Sequence, residues 1–155
     1  MQDQIKTTAE AVEAAALPRA HAVHSDPEMT CAEVEPFPEA LSKQPAGRKS
    51  QAKWAYQRLI HYIRNFEKQL DEEHEVAMGF VGGAPGVLKI EGLGYFDPDI
   101  VTFYGKDSKG VRTQLVQHVS QLNVFLRATP KPKEAPQPTR IGFRLVAGLE
   151  EDEAE

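Results

Sequence analysis

Apolar residues recur at three- and four-residue steps over residues 51–70: Ala52, Ala55, Leu59, Ile63, Phe66 and Leu70, with Trp54, Tyr56, Ile60 and Tyr62 widening the stripe. That period predicts an amphipathic helix. Ser50 is its expected N-cap. The helix should end near Leu70, because Asp71-Glu72-Glu73 would lie against the negative end of its dipole. The period then changes. Val76, Met78 and Phe80 alternate, which predicts a strand, and Gly82-Gly83-Ala84-Pro85-Gly86 predicts a turn. Residues 87–96 read as a second strand, with Leu88 and Ile90 on one face and Lys89 and Glu91 on the other. Gly92 and Gly94 would weaken a flat strand there and suit a bend or bulge. Asp97-Pro98-Asp99 is a tight connection, residues 100–104 a third strand, and Asp107-Ser108-Lys109-Gly110 a hairpin loop. Residues 111–128 fit two patterns. Leu115, Val119, Leu122 and Leu126 suit a helix, whereas Leu122, Val124 and Leu126 suit a strand. The β-branched Val116, Val119 and Val124 favour strands.

The ends differ from this core. Residues 1–49 hold five prolines and few apolar residues without a sustained period. Burial cannot offset the entropy of ordering such a segment, so a disordered tail is expected, with a short helix over 8–17 marginal at that length. The α+β core domain is expected over 50–128. Residues 129–139, with four prolines, read as an extended linker. Ile141, Phe143 and Leu145 alternate with Arg140, Gly142 and Arg144, which predicts a docked edge strand over 140–147. Residues 148–155 read as an acidic disordered tip.

Composition sharpens two points. The stretch 51–128 holds the only Trp, all four Tyr and five of the seven Phe. A core of that size is marginal alone and gains from association. The net charge of −5 divides unevenly: −3 in residues 1–50, zero in 51–128 and −2 in 129–155. Whole-chain acidity therefore does not exclude a polyanion as partner, and the placement of the core's bases decides. No run approaches the ~20 apolar residues of a membrane span. The N-terminus lacks the basic start and apolar stretch of a secretory signal. Cys31 is the only cysteine, so no internal disulfide can form. A cytoplasmic location without membrane contact is expected.

The order of elements is informative. One helix precedes a run of short antiparallel strands, the second strand is bent by glycines and ends in Phe96-Asp97, and Gln117-His118-Val119-Ser120 lies between the last two. This resembles the Sm-like fold, and specifically its bacterial Hfq-type RNA chaperones, over about residues 51–128. The resemblance implies a small antiparallel β-barrel or strongly bent sheet behind an N-terminal helix, an oligomer formed through open edge strands, and RNA contact near the histidine. The family's lysine before the histidine is Gln117 here, and the Gln-aromatic pair after its Phe-Asp is Pro98-Asp99. The wording Tyr-Phe-Asp-Pro-Asp-Ile-Val and Gln-Leu-Val-Gln-His-Val-Ser-Gln-Leu is also similar to a family of short uncharacterised bacterial proteins, which brings no activity with it.

Candidate chemistry is sparse. His118 and Gln117, with Lys89, Lys106, Lys109, Arg112 and Arg127, form the candidate RNA-binding set if they share a face; otherwise His118 is an ordinary polar strand residue. Glu91, Asp97 and Asp99 could share a hard cation, but a turn in which Asp97 bonds backbone amides accounts for them better, and no metal is expected. The glycine-rich 82–86 stretch is followed by a strand and lacks the Lys-Ser pair of a phosphate loop, which excludes that reading. No nucleophile stands beside a base in a known motif, so neither enzyme activity nor a cofactor is expected. Trp54, Tyr56 and Tyr62 read as core, with some left for a subunit interface. The leading expectation is a non-enzymatic homo-oligomeric module binding single-stranded RNA. The competing one is a protein-interaction scaffold of the same small fold.

Overall fold

The computed structural model describes residues 20–36, 49–80 and 86–154. Residues 82–85 of the expected glycine turn, and residues 1–19 and 37–48 of the expected tail, lie outside them. Helix α1 spans Gln51–Lys68, with the Ser50 hydroxyl accepting from the Lys53 amide at 3.0 Å as its N-cap. Ala52, Leu59, Ile60 and Ile63 are buried along one stripe. Five strands follow: β1 His74–Phe80, β2 Val87–Phe96, β3 Ile100–Lys106, β4 Arg112–His118 and β5 Val124–Pro130. A 3-10 turn, Val119–Gln121, joins the last two. The ambiguous 111–128 stretch is thus strand on both sides of that turn.

The strands form one antiparallel sheet in the order β4-β3-β2-β1-β5. β2 serves two partners. Val87 and Leu88 pair with β1, whereas Lys89 to Phe96 pair with β3, with a register shift between Ile90 and Gly92. The predicted bulge is therefore present, and a bulge bends and twists its strand. The two ends of the sheet, β4 and β5, do not pair with each other. The α+β class holds; of the two forms expected, a small barrel or a strongly bent sheet, the barrel is not formed, because no ladder joins the last strand to the fourth.

The core lies between α1 and one sheet face: Ile60 and Ile63 against Val76, Met78, Phe80, Leu88, Ile90, Val101 and Phe103. Phe80 meets Phe103 edge-on at 4.9 Å. Each such side chain contributes about 1.5–3 kcal/mol by leaving water. β1 is buried on its other face too. There Glu75, Ala77 and Gly79 are covered, the last by the ring of Phe125 on β5.

The segment after β5 corrects an expectation. Residues 140–147 are not an edge strand; helix α2 spans Gly142–Ala154 and takes in most of the stretch expected as an acidic tip. Ile141, Leu145 and Leu149 are buried, while Phe143 is 82% exposed. The buried set thus follows a four-residue step, the period of a helix face. Polar anchors fix its entry. The Ile141 and Gly142 amides donate to the Glu67 carboxylate at 2.9 and 2.5 Å. Arg140 donates to the carbonyls of His74 and Asp71 at 2.6 and 2.8 Å. The Thr139 amide donates to Glu75 Oε2 at 2.5 Å. Residues 131–141 are therefore a strap tied to β1 and α1 rather than a free tether. Burial pushes the Glu67 carboxyl up, against the pull of the two amides and Arg140.

Two outcomes follow from this packing. A Cβ at residue 79 would fall inside the Phe125 ring, so Gly79→Ala should destabilise the fold by about 1–3 kcal/mol in a denaturant titration. Phe125→Ala should relieve much of that loss in the double variant; a Gly79→Ala protein as stable as the parent would remove the constraint. The second outcome concerns acid. Burial works to raise the Glu75 carboxyl, but Thr139 and Lys89 outweigh it and hold the group below its ordinary 4.5. A lowered carboxyl contributes stability above its unfolded value and loses it as pH falls through the folded one. The stability gap between the parent and Glu75→Gln should therefore narrow as pH drops below about 4.5, and a gap constant with pH would contradict this.

Candidate functional site

The ladder registers set which side chains share the face of β2, β3 and β4 turned away from the core. Four rows cross these strands: Lys89–Lys106–Arg112, Gly92–Tyr104–Gln114, Gly94–Thr102–Val116 and Phe96–Ile100–His118. From the first row to the last is six residues, about 20 Å at strand rise. Phe96 is 75% exposed and Tyr104 42%, and Lys106, Arg112, Val116 and His118 are exposed beside them. The glycines on β2 keep the middle of the face low: a Cβ at Gly94 would come within 2.6 Å of Thr102 Oγ1.

At the hairpin end, Lys89 pairs with Glu75 at 3.4 Å and Lys106 with Glu91 at 3.8 Å. Lys109 and Arg112 have no carboxylate partner among the described residues. Lys109 is set by the hairpin, where Asp107 Oδ1 accepts from the amides of Lys109 and Val111 at 2.9 and 2.8 Å. Gly110 completes the turn with φ of 79°, a conformation glycine adopts without steric cost. Arg127 lies on β5, over the Phe125 ring at 5.1 Å.

At the other end, three elements meet. The Ala52 amide of α1 donates to the Pro98 carbonyl at 3.0 Å, and the Ser50 hydroxyl donates to Asp97. The Val119 amide donates to the Asp99 carbonyl at 2.8 Å. His118 bridges them. The Ser120 amide donates to its Nδ1 at 3.1 Å, so that nitrogen is the acceptor and the neutral ring carries its proton on Nε2, directed at Asp99 Oδ2 3.0 Å away. Ser120 Oγ, 2.7 Å from the same Nδ1, has to share the acceptor with its own amide. The Asp99–His118–Ser120 run is accounted for as the cap of the 3-10 turn.

The sequence-derived residues are thus partly brought together. Lys89, Lys106, Arg112 and His118 share one face, with Lys109 at the hairpin end, but His118 is a strand's length from the bases. Gln117 points to the other face, where its Oε1 is buried without a hydrogen-bond partner among the described residues. Glu91, Asp97 and Asp99 do not converge, each bonding a different group: Lys106, Ser50 and His118. Sequence reasoning did not single out Phe96 and Tyr104 as binding residues. The bulge turns Phe96 outward, and Tyr104 shows itself only through its alternation with the core residues Val101 and Phe103.

Fold and site together define a small α+β protein with an open sheet face bearing aromatic and basic side chains. Residues 44–144 match the family of unknown function DUF6173, and the chain belongs to that family. No curated protein and no solved structure matches it. Among the described residues no helix is long and apolar enough to cross a membrane.

Proposed function

We propose that the open face of β2, β3 and β4 binds single-stranded RNA, in an Sm-like, non-enzymatic module acting in the cytoplasm. The observation that carries this reading is the cross-strand row Lys89–Lys106–Arg112 beside exposed Tyr104, with Phe96 farther along the same face. Single strands are held by bases that follow the phosphates and by aromatic rings on which nucleobases stack. Both kinds of group are present, and Lys109 and Arg112 have no carboxylate partner among the described residues to give up on engaging a phosphate. Helix first, bulged second strand ending in Phe96-Asp97, and His118 closing the fourth strand support the Sm-like assignment. In this reading His118 positions the Phe96 end of the face through Asp99, and Gln117 takes no part.

A fluorescence-anisotropy titration of the full chain with a labelled single-stranded RNA, at two salt concentrations, tests it. Tyr104→Ala should cost about 1–3 kcal/mol at either salt, because stacking releases no counterions. Lys106→Ala with Arg112→Ala should flatten the slope of log K against log salt by about 0.7 for each phosphate no longer neutralised. No binding at low salt, or binding unmoved by both changes, would sink the proposal.

The edges suggest assembly. β4 and β5 each carry one side that no strand of the sheet covers, and open edges pair readily. We infer a homo-oligomer joined through these strands. Light scattering on the order of tens of micromolar, where weak association registers, should show a species larger than one chain; a strict monomer excludes it.

A further inference from the structure

Residues 30–35 lie against α1. Three polar side chains of the helix read the backbone of this segment. His61, Asn65 and Gln69 stand at four-residue steps, one stripe of the helix. Asn65 Nδ2 and Gln69 Nε2 donate to the Thr30 carbonyl at 3.1 and 2.7 Å. His61 Nε2 donates to the Ala32 carbonyl at 2.5 Å. The carbonyl between them, Cys31, is used within the segment, accepting from the Val34 and Glu35 amides at 3.1 and 3.3 Å. The segment is thus a single turn whose Thr30 and Ala32 carbonyls are taken up by the helix. Two acidic side chains add direction: the Tyr62 hydroxyl donates to Glu33, and Lys68 lies 3.7 Å from Glu35. Ala32, at 3% exposure, is the only residue of 20–36 that is fully buried.

We propose that the His61–Asn65–Gln69 stripe of α1, with Tyr62 and Lys68, is a docking site for a partner protein's acidic turn, occupied here by the chain's own Thr30–Glu35.

Two observations separate the site from its occupant. The family match begins at residue 44, so it includes the whole receiving stripe and excludes the turn that fills it. The occupant also contributes little burial of its own, one alanine, and is held by hydrogen bonds that another backbone can supply equally well. A competing turn needs a small residue at the position of Ala32, an acid next to it for Tyr62, and a second acid two residues on for Lys68. The contact with Glu33, then burial, pushes Tyr62 up to about 12. A raised tyrosine contributes to docking below its ordinary value of 10 and loses that contribution as pH rises through about 12.

Cys31, the only cysteine, sits inside the docked turn and reports on it. The experiment uses the full chain and a synthetic peptide of residues 28–36 with serine in place of the cysteine. Saturating peptide should speed alkylation of Cys31, because the cis turn is displaced. Labelled peptide should bind full-length Ala32→Arg, whose own turn cannot seat, more tightly than the parent by about a hundredfold, the advantage a tethered competitor commands. Adding Lys68→Glu to Ala32→Arg should weaken peptide binding by about fivefold, the scale of an exposed ion pair. Unchanged Cys31 reactivity overturns the proposal, whether or not Ala32→Arg folds. Peptide binding indifferent to Lys68→Glu overturns it as well. A parent protein that exchanges turns between copies, seen as a dimer that Ala32→Arg abolishes, would assign the site to a second copy instead of a partner.

Discussion

The bulge between Ile90 and Gly92 decides what both faces of the sheet are made of. Up to Ile90, β2 places Leu88 and Ile90 in the core and Lys89 outside. Strict alternation would continue with Gly92, Gly94 and Phe96 inward and Leu93 and Tyr95 in water. One extra residue reverses this, since a single-residue shift moves a whole strand's side chains to the other face. Leu93 and Tyr95 then pack on the core, where Tyr95 meets Tyr56 of α1 at 5.0 Å. Phe96 is left in solvent at the end of a lane of glycines. The open face, its low centre and its exposed aromatic all depend on that one irregularity.

A second constraint ties the chain's last third to its first helix. β1 is buried on both faces, so its polar residue Glu75 has to be satisfied without water. Thr139 and Lys89 do this. Glu67 does the converse on α1: its buried carboxylate accepts the first two amides leading into α2, which have no partner within that helix. Two carboxylates therefore clamp the strap where it enters α2, while at its start the Lys131 amide donates to the Glu73 carbonyl at 2.8 Å. The proline-rich composition of 131–139 marks a segment with few internal hydrogen bonds, yet one whose path these side chains fix.

The helix, the first three strands, the bulge and the hairpin were legible because each rests on a local pattern: apolar period, glycine position or turn chemistry; the last two strands, in 111–128, fitted helix and strand alike, and only the β-branched valines favoured strands. Two features were not. Ile141, Phe143 and Leu145 alternate as a strand would, and only Leu149, beyond the stretch read as a strand, completes the four-residue step that buries Ile141 and Leu145 and leaves Phe143 in water. The docking of residues 30–35 left no trace in apolar pattern, because it works through main-chain carbonyls, which every sequence has. The candidate site was legible in part. Lys89, Lys106 and Arg112 align because hairpin pairing is local, whereas Gln117 and His118, neighbours in sequence, necessarily point to opposite faces.

Charge distribution connects the two surfaces. The N-terminal third carries an acidic surplus that could have neutralised the basic row on the sheet. In the described residues it does not. Glu33 and Glu35 are taken up by Tyr62 and Lys68 on α1, and the acidic end of the chain is wound into α2, a helix packed against α1 through Ile141, Leu145 and Leu149. A tip on a free proline-rich tether could have swept the domain and competed for its bases. Helix α2 instead packs on α1 through Ile141, Leu145 and Leu149, whereas Lys106 and Arg112 stand on the open face of the sheet. Among the described residues, the carboxylates paired with that basic row are Glu75 and Glu91, and these are what a polyanion meeting it would displace.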